Sequence, residues 1–202
     1  MLADFARTCG LTLTKKQLLQ LQEYANCVWA KKDFLNLTSA ASLDEIFARH
    51  ICDGLVAAGQ MTALNAPADL ADMGAGCGYI GMTLAVALPR AHVTLVESIE
   101  RRCKFMQWAA LQAGITNITV KNARLGQGTH FAFDAVTERA MGQLPDIVEL
   151  CLAAVKPGGT FVAYQGENPQ TDILNHAFTV KAYVLPGERK QRHLVLFNKD
   201  EK

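Results

Sequence analysis

The chain has 202 residues, half of them hydrophobic and 19% charged, with a formal net charge of +1 and an isoelectric point near 7.6. That length suits one domain able to bury about 70% of its unfolded surface, and the near-neutral balance gives no global electrostatic case for nucleic acid. The apolar runs fall far short of the ~20 residues needed to span a bilayer, residues 1–7 lack the basic start and apolar run of a secretory signal, and six scattered cysteines form no C-x-x-C and have no histidine at zinc-ligand spacing.

In chain order, residues 14–31 read as a helix with Thr14 as N-cap and Leu18, Leu21, Ala25, Val28 and Trp29 on one stripe. Residues 42–57 read as a second helix, in which Ser42-x-x-Glu45 makes a capping box and Ile46, Phe47, Ile51 and Leu55 form the buried face. These helices make an N-terminal extension over residues 1–60, ahead of a domain over 61–202 with which it forms one unit. The link Asp33-Phe-Leu-Asn36-Leu-Thr-Ser39 reads as an ordered loop.

Asp69-Leu-Ala-Asp72-Met-Gly74-Ala-Gly76-Cys77-Gly78-Tyr79-Ile-Gly81 is a short apolar strand running into a glycine turn, followed at once by a helical stretch closed by Pro89. Glycine suits a loop on which a ligand lies, because it accepts positive φ and allows close approach. The turn reads in two frames. Gly76-x-Gly78-x-x-Gly81 matches the dinucleotide pattern by letter but starts two residues late, since that pattern wants its first glycine at the strand end. Asp72-x-Gly74-x-Gly76-x-Gly78 suits the nucleoside-binding turn of enzymes that use S-adenosyl-L-methionine (SAM), and a glycine loop without ligand is the plain reading of either. Cys77 sits inside the turn, with no neighbouring base in sequence to make it a nucleophile.

The second strand, His92-Val-Thr-Leu-Val-Glu97, ends on a carboxylate about 20 residues past the glycines, where it can accept hydrogen bonds from both ribose hydroxyls. It can equally cap the next helix, for which Ser98 and Glu100 are also suited. Further strands are expected near 117–122, 133–138 and 158–164, with helices near 80–88, 100–114 and 144–155 between. Such alternation makes a parallel sheet with helices on both faces. Phe105, Trp108, Ala109 and Gln112 form the expected buried side of helix 100–114, and Lys156-Pro-Gly-Gly159 a turn from helix to strand. The tail, 179–185 and 192–197, is joined by a loop too short for a parallel crossover, so it closes the sheet as an antiparallel hairpin.

Basic residues group at Lys15-Lys16, Lys31-Lys32, Arg49-His50, Arg101-Arg102-Cys-Lys104 and Arg189-Lys190-Gln-Arg192-His193, each readable as a solvated face or as a phosphate contact.

The order and spacing of Asn36-Leu-Thr38, Arg49-His50-Ile-Cys-Asp53-Gly-Leu55, Asp72-x-Gly-x-Gly-x-Gly78-Tyr-x-Gly81, Leu95-Val-Glu-Ser98, Arg101-Arg102-x-Lys-Phe105, Ala123-Arg124, Arg139-Ala140 and Lys156-Pro-Gly-Gly159 resemble the bacterial glucose-inhibited division protein B family, RsmG, over nearly the whole chain. The resemblance implies an α/β fold of the class I SAM-dependent methyltransferase type: a Rossmann-like parallel sheet with an antiparallel C-terminal hairpin and an N-terminal helical extension. It implies methyl transfer from SAM to guanine N7 in small-subunit (16S) ribosomal RNA, naked or in the ribosomal particle. The expected protein is a cytoplasmic monomer without metal or membrane partner. Carried over residue by residue, the cofactor site takes Gly74, Tyr79, Leu125, Gly126 and Arg139, beside Glu97; Arg139 also suits a phosphate of the RNA. Asn36 and His50, with Asp53, fall in a substrate wall contributed by the extension, and Arg101 and Arg102 on an RNA face. The chain departs from the family pattern at Gly126, where an acid is usual, at Gln165, where a lysine is usual, and at Glu138, where a small residue is usual. Methylation of a small molecule, or a non-catalytic assembly role for a retained nucleoside site, are the rival readings.

Overall fold

A computed structural model describes every residue except 65–66, 128–129, 170, 172–175 and 201–202. Its centre is the first strand, β1 (Asp69–Met73), flanked by β2 (His92–Glu97) and β4 (Phe133–Glu138), all parallel and in continuous register. β3 (Ile118–Asn122) extends the sheet beyond β2, and β5 (Val155–Gln165) extends it beyond β4. The tail strands β6 (Thr179–Tyr183) and β7 (Arg192–Asn198) pair antiparallel, and β7 inserts between β5 and β6. The order is therefore β3-β2-β1-β4-β5-β7-β6, and the strand order reverses between β1 and β4, the kind of switch point that opens ligand crevices at carboxyl strand ends. The expected hairpin is present, with β7 its inner strand.

Lys156-Pro-Gly-Gly159 lies inside β5 rather than before it. Gly158 takes φ +75°, its N–H donates to the Lys199 carbonyl at 2.9 Å, and the register with β4 shifts between Phe133 and Ala135, so the turn residues act as a kink within one strand.

Helix α1 (Leu2–Thr8) begins the chain, in a segment for which no element was expected, and α2 spans Lys15–Leu35. Thr14 caps α2 through a capping box with Gln17, whose Nε2 also reaches the Val86 carbonyl at 2.7 Å. The second predicted helix is three pieces in one rod: α3 (Leu43–Glu45), a π-helical stretch (Ile46–Ile51) and α4 (Cys52–Ala63). The Glu45 N–H donates to Ser42 Oγ at 3.1 Å, while the Glu45 carboxylate accepts from the Ala41 N–H at 2.8 Å, one residue earlier than a strict box.

Helix α5 (Tyr79–Ala87) is buried on every side, wedged between the sheet and the extension. Two close approaches permit this: a Cβ at Gly81 would stand 2.8 Å from Leu95 Cγ, and one at Gly54 would stand 2.5 Å from Thr83 Cβ. Because α2 and α4 pack on α5, residues of the extension such as Leu21, Tyr24 and Leu55 share one apolar cluster with Leu84 of α5 and Leu95 of β2. The other sheet face is covered by α7 (Leu144–Ala153) through Ile147, Val148 and Cys151.

Two expected stripes turn out rotated. On α2, Leu21, Ala25 and Val28 are buried as expected, but Tyr24 and Cys27 join them while Leu18 is half-buried and Trp29 exposed. On α6 (Glu100–Ala113), Cys103, Met106, Ala110 and Ala113 join Phe105 and Ala109 in the core, whereas Trp108 and Gln112 face outward. Each of the two outward tryptophans receives a lysine ammonium, Lys31 over Trp108 at 5.7 Å and Lys32 over Trp29 at 4.7 Å.

Candidate functional site

Two clefts open at the carboxyl ends of the central strands. The first, about 380 Å³, lies over β1 and β2 and is lined by Gly74, Glu97, Ile99, Arg102, Leu125 and Met141, among others. The turn that forms its floor is held from below. Asp72 is buried on β1, its Oδ2 accepting the Gly81 N–H at 2.8 Å and its Oδ1 the Thr137 hydroxyl at 3.2 Å. Burial raises its pKa to about 6 against the pull of those donors. Asp72 therefore clamps the start of α5 and does not face the cleft. Gly74 has φ +64° at the strand end, and a Cβ there would meet the Met141 side chain at 3.1 Å.

Glu97 ends β2 at the cleft and anchors the entry to α6. Its Oε2 accepts the Gly76 N–H at 2.9 Å and its Oε1 the Ile99 N–H at 2.8 Å, where Ile99 is the N-cap of α6. The Ser98 hydroxyl also donates to Oε1 at 3.4 Å, and Arg102 Nη1 stands 3.7 Å from Oε2. The carboxylate is thus tied to the glycine turn and to the next helix while it lines the cleft, as a ribose acceptor must. Leu125 lines the same cleft, whereas Gly126, at φ +81°, is exposed and opens onto an adjoining hollow of about 190 Å³.

The second cleft, about 680 Å³, lies beyond β4 and meets the first at Ala140, a non-glycine residue at φ +65°. Arg139 belongs to this second cleft. Its Nη1 donates to Asp53 Oδ2 at 2.8 Å, and its guanidinium carbon lies 5.6 Å over the Tyr79 ring. Asp53, on α4, is fully buried and also takes Arg192 Nη1 at 3.3 Å and the Tyr183 hydroxyl at 2.8 Å. Burial raises its pKa, opposed by the two guanidiniums. Arg192 and Tyr183 face one another across the β6–β7 ladder, so the closing hairpin brings both to the extension.

Tyr79 is buried, with the His50 ring stacked on it at 4.2 Å and 10°. Burial first, then Arg139 and Arg49, push the His50 pKa down to about 3, so the ring is neutral. Asn36 is exposed at φ +50° as the C-cap of α2, a position that asparagine tolerates well; it lines neither cleft. Arg101 is exposed on α6 while Arg102 turns into the first cleft, so the two arginines form no common face. Gln165 lines the second cleft, and Glu138 is buried at the end of β4, accepting the Met141 N–H, with a pKa raised by burial to about 7. Cys77 is buried, its pKa raised by burial to about 11, which leaves it a thiol. Among the described residues, no group of three or more metal-ligating side chains occurs, and no helix is long and apolar enough to cross a membrane. Tyr183 and Arg192 were not anticipated as site residues; the only signal was the basic run at 189–193, which does not reveal its partner on α4.

This strand order, with the glycine turn and the acid of β2 meeting in one crevice, defines a class I methyltransferase architecture. Solved structures of that type superpose well: a putative O-methyltransferase of Klebsiella pneumoniae, at a TM-score of 0.58 with 14% identity over 88% of this chain and 90% of the other, and an RNA methyltransferase of Salinibacter ruber in complex with S-adenosyl-L-homocysteine, at 0.56 with 17% identity over 72% and 92%. The sequence places it more narrowly. The profile of the GidB family, rRNA small subunit methyltransferase G, matches residues 17–195, and the chain belongs to that family. It is 28% identical over 208 aligned positions to a ribosomal RNA small subunit methyltransferase G of Bacillus cereus, covering 96% of this chain and 87% of the relative; its counterpart from Bacillus thuringiensis is equally similar.

Proposed function

We propose that the protein transfers a methyl group from SAM to N7 of a guanine in small-subunit ribosomal RNA. The observation that carries this reading is the first cleft of a chain in this family: a buried, backbone-anchored carboxylate, Glu97, opposite a glycine turn that leaves room for a nucleoside. The residues present fit SAM. Glu97 would accept the ribose hydroxyls, Gly74 would let the ligand lie on the backbone, and Leu125 would flank the adenine. When bound, SAM supplies an electrophilic methyl on a sulfonium.

Guanine N7 has a lone pair and no proton, so the chain needs no general base, and among the described residues lining the cleft there is no histidine and no carboxylate besides Glu97. The contribution of the protein is orientation, worth several kcal/mol (about 7–11 kcal/mol in well-oriented systems), together with exclusion of water. His50 is neutral and stacked on Tyr79, which makes it a rigid wall rather than an acid or base.

Labelled SAM offered to undermethylated small subunits, free ribosomal RNA and a small-metabolite pool tests the reading. Label is expected in small-subunit RNA, at a guanine that becomes cleavable by the chemistry specific to N7-methylation. Label in the metabolite pool would replace this function by small-molecule methylation, and cofactor binding without transfer would replace it by an assembly role.

A further inference from the structure

Between β4 and α7 the chain crosses from one cleft to the other, and the residues of the crossing, 139–142, have little of their own to hold them. Arg139 lines the second cleft, Ala140 lines both, and Met141 lines the first. Among the described residues, no backbone–backbone hydrogen bond reaches 139–142. Ala140 stands at φ +65°, a left-handed conformation that a β-carbon disfavours. A segment with one unfavourable dihedral and no ladder keeps a single shape only when its surroundings dictate it.

One side chain does so. Glu138, the last residue of β4, is buried, and its Oε1 accepts the Met141 N–H, closing a ring around Ala140. Among the described residues, this is the only hydrogen bond on the backbone of 139–142. The carboxylate acts from a rigid base, because Glu138 is paired in the sheet with Met73 of β1 on one side and Ala163 of β5 on the other. Glu138 itself lines neither cleft.

What this contact sets is visible at Met141. Its side chain lies on the start of the glycine turn, where a Cβ on Gly74 would stand 3.1 Å from Met141 Cγ and 3.2 Å from Sδ. Met141 therefore walls the first cleft at the end of β1. Rotation about Ala140 would lift Met141 off Gly74 and redirect the chain as it leaves Arg139, so one hydrogen bond governs two cleft-lining side chains at once.

We propose that Glu138 is a positioning residue for the cofactor site: its carboxylate holds the Met141 amide, keeps Ala140 left-handed, and so places Met141 and Arg139 for the bound cofactor. This rests on the SAM-binding reading above and extends it to a residue outside the cleft, at a position where the chain departs from the family pattern. Without the acceptor, the competent shape of 139–142 becomes one of several, and the apparent dissociation constant rises by the inverse of its remaining population.

The test measures S-adenosyl-L-homocysteine binding by calorimetry and exchange of the Met141 amide by NMR, both below the melting transition. Glu138→Ala is expected to raise the dissociation constant roughly tenfold, as the loss of one charge-assisted hydrogen bond allows, and to let the Met141 amide exchange like that of an open loop. Glu138→Gln keeps an acceptor oxygen at the same reach, so it should retain amide protection and bind within about threefold of the unaltered protein. A side chain that merely filled space would not tie recovery of affinity to recovery of that one amide. Should Glu138→Ala fail to fold, the unaltered protein decides, since a Met141 amide that exchanges as fast as an open loop overturns the proposal. Binding within twofold in Glu138→Ala, or a Glu138→Gln protein as impaired as Glu138→Ala, overturns it also while leaving the SAM reading intact. Failure of the unaltered protein to bind S-adenosyl-L-homocysteine overturns both.

Discussion

Replacing Glu97 by glutamine keeps the shape of the side chain and removes the symmetry on which its role depends. Each carboxylate oxygen accepts a backbone N–H, from Gly76 at 2.9 Å and from Ile99 at 2.8 Å. Glutamine has one oxygen and one NH2, so whichever way it turns, a donor faces a donor. One amide in a nearly buried site goes unpaired, at a cost of about 1–3 kcal/mol, and the surviving bond loses its charge assistance. For a chain of this size the melting temperature should fall by roughly 2–4 °C per kcal/mol. The ribose contact is a separate loss: a charge-assisted acceptor for two hydroxyls contributes about 1.5–3 kcal/mol, so S-adenosyl-L-homocysteine should bind roughly 10- to 150-fold more weakly. Thermal melting and calorimetry below the transition read the two losses independently. A lowered melting temperature with unchanged affinity would refute the ribose role and leave Glu97 as a cap for α6 alone.

Gly54→Ala should destabilise the fold by about 1–3 kcal/mol, since its Cβ would stand 2.5 Å from that of buried Thr83; a melting curve matching the original protein would show that α4 moves freely on α5. Glu138 has its pKa raised to about 7 by burial, above its unfolded value, so it contributes stability below the usual carboxylate range that is lost as pH rises through 7. Denaturant titrations should therefore show stability falling by roughly 1–3 kcal/mol between pH 4.5 and 7.5, and Glu138→Gln should flatten the upper part of that slope; an identical profile would refute the assignment. Arg102→Ala, which removes a partner 3.7 Å from Glu97, should weaken S-adenosyl-L-homocysteine binding by up to about fivefold, whereas Arg101→Ala should not change it; equal effects would contradict the opposite directions of the two side chains.

Much of this protein is written in short-range pattern. The strand–helix alternation from residue 69, the Thr14 cap, the glycine turn, the acid closing β2 and the antiparallel tail all follow from dihedral preference, periodicity and loop length, which act over a few residues, and all are present in the fold. Both readings of Glu97, helix cap and ribose acceptor, were open in the sequence, because the two positions coincide at the same strand end. Periodicity marks a helix as amphipathic but tolerates a rotation of its stripe, which is why Trp29 and Trp108 were expected inside and are found outside under lysines. Neighbours on a helix diverge by about 100°, so the run Arg101-Arg102 looked like one basic patch until α6 docked and sent one arginine into the cleft and the other to solvent. Asn36 stood in a family motif and proved to be the left-handed cap of α2, a conformation set by where the chain must turn. The second cleft is tertiary altogether. Asp53 meets Arg139, Tyr183 and Arg192 across 86, 130 and 139 residues of chain, and no local rule couples them. Only the antiparallel insertion of β7, which brings the end of the hairpin against α4, adds Tyr183 and Arg192 to Arg139 on one buried carboxylate, in a cleft that meets the first at Ala140.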